Sequence, residues 1–121
     1  MAELAGLRVL VVEDEGGVAL LIEQMLEDLG CEVAASVATL ANAMTAARGE
    51  TFDFALLDVN LDGEFVFPVA EILKVRQRPF IFSTGYGRIG VPEAFKECVV
   101  LSKPFTIEEL KEKLQSMLGN G

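Results

Sequence analysis

Apolar residues along the chain follow two alternating rhythms. Leu7 to Val12 is an apolar run broken only by Arg8, and it ends in Glu13-Asp14-Glu15. Such a run, bounded by polar residues, predicts a strand buried on both faces. From Val18 the rhythm changes. Val18, Leu21, Ile22, Met25, Leu26 and Leu29 recur at the spacing of a helix with one buried face, and Gly30 supplies a left-handed stop. Gly16 and Gly17 weaken the first turn and leave its start open by several residues.

The alternation then repeats. Cys31 to Ala35 suits a short second strand, and Val37, Leu40, Ala41, Met44 and Ala47 follow at helical period until Gly49. Phe54 to Asp58 is a third apolar run, ending in a carboxylate and the turn residues that close at Gly63. Val66, Val69, Ala70 and Leu73 make a third helical stripe, with Pro68 in its first turns, where proline costs least. Phe80 to Thr84 is a fourth strand ending in two hydroxyls. Gly85, Gly87 and Gly90 loosen the next connection, and Pro92 makes any fourth helix short or late. Val99 to Leu101 is a fifth strand. Thr106 with Glu109 forms a capping box ahead of a last helix carrying Ile107, Leu110, Leu114 and Met117.

Five strands alternating with five helices predict an α/β fold, a doubly wound parallel sheet with helices on both faces. With 121 residues the expectation is one domain over 1–121 and nothing beyond it. Only Met1 to Gly6 and Gly119 to Gly121 read as frayed ends.

Composition narrows the function. Hydrophobic residues at 51% and charged residues at 24% are globular proportions. No apolar run approaches the roughly 20 residues of a membrane span, and no signal peptide is visible, so a soluble, cytoplasmic protein is expected. Ten basic against nineteen acidic residues give a net charge of -9, which repels a phosphate backbone and argues against nucleic acid as a partner. Cys31 and Cys98 lack metal-ligand spacing and read as small buried residues. There is no histidine, so imidazole chemistry is excluded.

A strand-end Asp58 alone reads as a turn cap, and Glu13-Asp14-Glu15 alone as favourable charge at a helix N-terminus. Topology changes that reading. In a parallel sheet the C-terminal strand ends share one edge, where ligands bind. Glu13, Asp14, Asp58, Thr84 and Lys103 then meet there. Three clustered carboxylates require a cation or raised pKa values, and Mg2+ suits carboxylates that share it with phosphate oxygens. Lys103 and Thr84 are placed to pair with phosphoryl oxygens, which points to phosphoryl transfer onto a carboxylate.

These residues, in this order on these elements, resemble the receiver domains of two-component response regulators. The resemblance covers essentially the whole chain and leaves no output domain. It implies a flavodoxin-like (βα)5 fold with strand order 2-1-3-4-5. It makes Asp58 the phosphoacceptor, and Glu13, Asp14, Asp58 and the backbone carbonyl of Asn60 the Mg2+ ligands. It also implies a cis Lys103-Pro104 peptide and, as donor, a histidine kinase or phosphotransfer protein, with a signalling role rather than an enzyme's. Pro79 to Tyr86 is similar to the PFxFATGY signature of a single-domain alphaproteobacterial subfamily that typically works with histidine kinases of the HWE or a related class, with Ser83 in place of its alanine. Val100 stands where many receivers carry an aromatic switch residue, so Thr84 with Tyr86 is the candidate switch, Tyr86 being equally readable as cover for the site's rim.

Two motif matches point elsewhere and fail. Asp58-Val-Asn60-Leu-Asp62-Gly63 begins like a calcium loop, yet its twelfth position is Val69 where a bidentate Glu belongs. Gly85-Tyr-Gly87-Arg-Ile-Gly90 matches a dinucleotide fingerprint, but the next strand ends in Lys103 where an acidic ribose partner is expected. The rival function is a small haloacid-dehalogenase-like phosphatase with an aspartyl-phosphate intermediate, for which Asn60 stands where a general-acid aspartate is wanted. A pseudo-receiver that only binds a partner is the third reading.

Overall fold

A computed structural model describes residues 3–119. The elements run β1 (Arg8–Val12), α1 (Gly16–Asp28), β2 (Glu32–Val37), α2 (Leu40–Gly49), β3 (Phe54–Asp58), β4 (Asn60–Leu61), β5 (Glu64–Phe65), α3 (Phe67–Arg76), β6 (Phe80–Thr84), a 3-10 turn (Glu93–Phe95), β7 (Val100–Ser102) and α4 (Ile107–Gly119). Five strands pair in parallel in the order β2-β1-β3-β6-β7. Counting only those strands, the order is the expected 2-1-3-4-5, a flavodoxin-like doubly wound sheet.

Strand alternation builds two core layers. On one face Leu10, Val12, Ala55, Leu57, Phe80 and Phe82 pack against α2, α3 and Phe95 of the 3-10 turn. On the other, Val9, Val11, Phe54, Leu56, Ile81 and Leu101 pack against α1 and α4 through Ile22, Leu26, Leu110 and Leu114. Burial on both faces is why these strands read as unbroken apolar runs.

Four expectations need correction. There are four α-helices among the described residues, not five; the 3-10 turn stands where the fourth would be. Pro92 precedes that turn in extended backbone, and three glycines lie just upstream, so little favours a longer helix. The turn survives because Phe95 is buried against Phe67, Phe80 and Phe82.

The second strand runs on to Val37, which the helical stripe had claimed. Val37 pairs with Val12 and accepts a hydrogen bond from the Glu13 N–H, while Thr39 caps α2 by accepting from the Asn42 N–H. The amino-terminal segment is tied down at Leu4, which is buried, and at Gly6, whose N–H donates to the Gly30 carbonyl. At the other end Gly119 closes α4 instead of fraying, and Met1, Ala2, Asn120 and Gly121 lie outside the described residues. Finally, Cys31 is buried as expected but Cys98 is only half-buried.

The β4–β5 hairpin was not foreseen. Asp62 (φ 53°) and Gly63 (φ 92°) form its two-residue turn, both left-handed, as such hairpins demand. The Asp-Gly pair was its signal, read only as turn residues that close the third strand.

Gly30 is a second position where glycine is required. Its φ is +92°, and an added Cβ would lie 3.1 Å from the Cα of Ala5. Gly30→Ala is therefore expected to destabilise the fold by about 1–3 kcal/mol. An unchanged urea midpoint would contradict this.

Candidate functional site

The C-terminal ends of β1, β3, β6 and β7 converge on a cleft of roughly 550 Å³, lined in part by Asp14, Asp58, Asn60, Thr84, Tyr86 and Lys103. Asp58 closes β3 and is 6% exposed; Glu13, just beyond β1, is 2% exposed. One carboxylate oxygen from each of Glu13, Asp14 and Asp58 lies within 4.8 Å of the others. Lys103 reaches in from the end of β7. Its Nζ is 2.7 Å from Glu13 Oε1 and 3.3 Å from Asp58 Oδ2.

Backbone groups hold the remaining oxygens. Glu13 Oε2 accepts from the Glu15 N–H at 3.1 Å, and Asp14 Oδ2 from the Asp62 N–H at 3.0 Å. The hairpin thus has a role in the site: its left-handed turn aims an amide at Asp14. Asn60 donates its N–H to Asp58 Oδ1 at 3.4 Å, while its side chain accepts from the Gly63 N–H at 2.7 Å and so belongs to the hairpin. Thr84 is buried at the end of β6, and its Oγ1 accepts from the Tyr86 N–H at 3.0 Å. The Lys103 N–H donates to the Thr84 carbonyl at 2.8 Å, and the Lys103-Pro104 peptide is cis.

Electrostatics follows from this crowding. Burial pushes the Asp58 carboxyl up, to about 7, reinforced by a hydrogen bond shared with Asp14 and opposed by Lys103. Burial also presses Asp14 upward, but hydrogen bonds from Asp58, Glu13 and the backbone outweigh it and hold Asp14 low. For Lys103, burial lowers the pKa, and the bond to Glu13 with the Asp58 charge more than reverses it.

Two features were missed in the sequence. Glu13 has both oxygens committed, one to Lys103 and one to Glu15, so it anchors the lysine as well as adding charge. The rim is apolar: Phe65, Tyr86 and Ile89 line the cleft and are more than half exposed. Tyr86 thus points outward at the rim, and Val100 is half-buried against the α2/α3 layer.

The receiver domain profile of response regulators matches residues 9–115. This chain belongs to that family. It is a receiver of two-component signalling. Among curated proteins it is 32% identical over 126 residues to the transcriptional regulatory protein TcrA of Mycobacterium tuberculosis, an alignment covering 98% of this chain. The chain spans about half the length of that relative, 48%. The solution structure of SdrG from Sphingomonas melonis Fr1 superposes with a TM-score of 0.83 at 39% identity, covering 98% of this receiver and 99% of SdrG. The receiver domain of the sensor histidine kinase PA1611 from Pseudomonas aeruginosa PAO1 has a TM-score of 0.77 at 28% identity, covering 95% and 99%, and holds a magnesium ion in its active site cleft. No helix among the described residues is long and apolar enough to cross a membrane.

The Asp58 shift has a consequence for stability. Between the unfolded value of 3.8 and about 7, the folded receiver keeps a proton that the unfolded chain has lost, so metal-free stability falls as pH rises through that window. Asp14 works in the opposite sense: its contribution is lost only in acid below the unfolded value of 3.8, so it is fully present across this window and leaves the slope unchanged. In EDTA, wild type should lose on the order of 2 kcal/mol between pH 4.5 and 7.5. Asp58→Asn should show a much flatter profile and be the more stable protein at pH 7.5. Parallel profiles in urea titrations would show that Asp58 is not the strained group.

Proposed function

We propose that this receiver takes a phosphoryl group onto Asp58 from a phosphohistidine of a partner histidine kinase. The observation that carries the reading is Asp58 itself, placed at the sheet edge with Lys103 on one side and Asp14 on the other. An Asp58 oxygen attacks phosphorus, the P–N bond breaks, and its electron pair returns to the donor's imidazole. Lys103 neutralises charge on the phosphoryl oxygens, for which it must release Glu13. Thr84, turned from the Tyr86 amide, donates its hydroxyl to another phosphoryl oxygen.

The donor set fits Mg2+: oxygens only, three carboxylates close enough to share one ion, and a carboxyl forced up to about 7 without one. Asp14, Asp58, the Asn60 carbonyl and, once Lys103 moves, Glu13 would hold it. Bound there, the ion supplies charge neutralisation and orientation of the phosphoryl oxygens. The phosphatase rival is disfavoured by Asn60, whose side chain is spent on the hairpin and presents no general acid. The Pro79–Tyr86 motif supports a donor of the HWE kinase class.

Incubation with acetyl phosphate and Mg2+ should add one phosphoryl group to wild type and none to Asp58→Asn, read by intact mass. Labelling of the variant at another aspartate would overturn the assignment. Mg2+ alone should raise the melting temperature of wild type by a few degrees, through binding that the unfolded chain lacks, and raise Asp14→Asn far less.

The switch we propose is the segment from Thr84 to Val91. Its turns close through Ile89 N–H to Tyr86 carbonyl at 3.3 Å and Val91 N–H to Arg88 carbonyl at 3.1 Å, the Arg88 guanidinium donates to the Cys98 carbonyl, and Gly87 sits at φ 60°. Beryllofluoride should slow amide exchange there far more than around Val100. Equal protection in both segments would exclude a switch local to this loop.

A further inference from the structure

Ser83 is 1% exposed, and its hydroxyl has no hydrogen-bond partner. Unpaired buried hydroxyls are uncommon and costly, so each calls for a reason. Its position in the sheet supplies one. In the parallel register Ser83 lies directly beside Asp58 on β3 and beside Leu101 on β7. Neighbours in register project to the same face. Phe80 and Phe82 belong to the α2/α3 layer and Ile81 to the α1/α4 layer, so alternation sends Ser83 to the α1/α4 face with Asp58.

Lys103 uses that same face. It is two residues beyond Leu101, and its ammonium reaches both Asp58 and Glu13, whereas β6 and β3 separate β7 from β1. Strands are about 4.8 Å apart, so the lysine side chain has to cross the end of β6 where Ser83 sits. A small side chain is needed beneath it. A hydroxyl is not needed for size, since alanine would serve.

We infer that Ser83 is a positioning residue for Lys103. When the ammonium leaves Glu13 for the phosphoryl group, Ser83 Oγ accepts one of its three protons and holds it beside Asp58. In the unphosphorylated protein the hydroxyl is idle because Glu13, at 2.7 Å, holds the ammonium instead. This inference rests on the proposed phosphotransfer to Asp58. It concerns Ser83 alone: no covalent step occurs at its oxygen.

The test uses Ser83→Ala and Ser83→Cys, the second filling the volume with a much weaker acceptor. Both should melt within a few degrees of wild type and bind Mg2+ with unchanged affinity. Both should be phosphorylated by acetyl phosphate about three- to tenfold more slowly, the value of one hydrogen bond to a charged group. With beryllofluoride, the Lys103 ammonium signal in 15N-lysine-labelled protein should be exchange-protected in wild type and lose that protection in both variants. Wild-type rates and protection in Ser83→Ala, or in Ser83→Cys, would overturn the role of the hydroxyl while leaving Asp58 as acceptor. Failure of wild type itself to take a phosphoryl group would overturn both readings.

Discussion

The structure of the site depends on one half-buried cation. Lys103 crosses the strand ends to reach Glu13 and Asp58, and without it two carboxylates buried to within a few percent would face each other unscreened. Burial of paired charges contributes little net stability, because desolvation consumes most of the attraction, but removal of one partner from such a pair is severe. The ammonium therefore serves poise more than stability. It sits 2.7 Å from Glu13 and 3.3 Å from Asp58, closer to the residue that anchors it than to the aspartate that closes β3.

That asymmetry leaves Asp58 under-compensated. Its carboxyl is driven up to about 7, and the structure accepts this at the point where chemistry is expected. The surrounding construction limits the damage. Asp14 draws an amide from the Asp62 turn, Glu13 draws one from Glu15, and the strands behind them are apolar on both faces. A rigid, low-dielectric base holds acids that repel one another, and a divalent cation among them would relieve that repulsion.

Much of this was legible in the sequence because it depends on periodicity. Apolar runs buried on both faces and helical stripes ending in glycine fix the alternation, and alternation with parallel pairing sends Glu13, Asp14, Asp58, Thr84 and Lys103 to one edge. What was not legible depends on competition between local preferences. Val37 fits a helical stripe and a strand equally; its pairing with Val12 decides. The fourth helix shrank to one turn because tertiary burial of Phe95 outweighs weak propensity for three residues only. The Asp62-Gly63 hairpin was overlooked because its strands are two residues long and carry no alternating pattern to notice. Glu13 as the anchor of Lys103 involves a choice between two acids that spacing alone does not make.

The aromatic packing explains why valine is tolerated at position 100. Phe82 lies in register beside Val100, and its ring meets Phe67 at 5.7 Å, Phe80 at 5.3 Å and Phe95 at 5.6 Å. Phe67 in turn stacks on Phe65 at the cleft rim, 5.9 Å away. The layer beside β7 is thus filled by phenylalanines from other elements, and close-packed interiors do not leave room for a further large ring to swing in and out. Valine is stiff at χ1 and fits the space that remains. The loop after Thr84 is built differently, with glycines that lower the cost of motion, and the ring stack ending at Phe65 places an apolar surface at the same rim. A receiver built this way places its exposed apolar rim only a few residues from the strand ends that carry Asp58 and Thr84, with a sheet packed on both faces behind them.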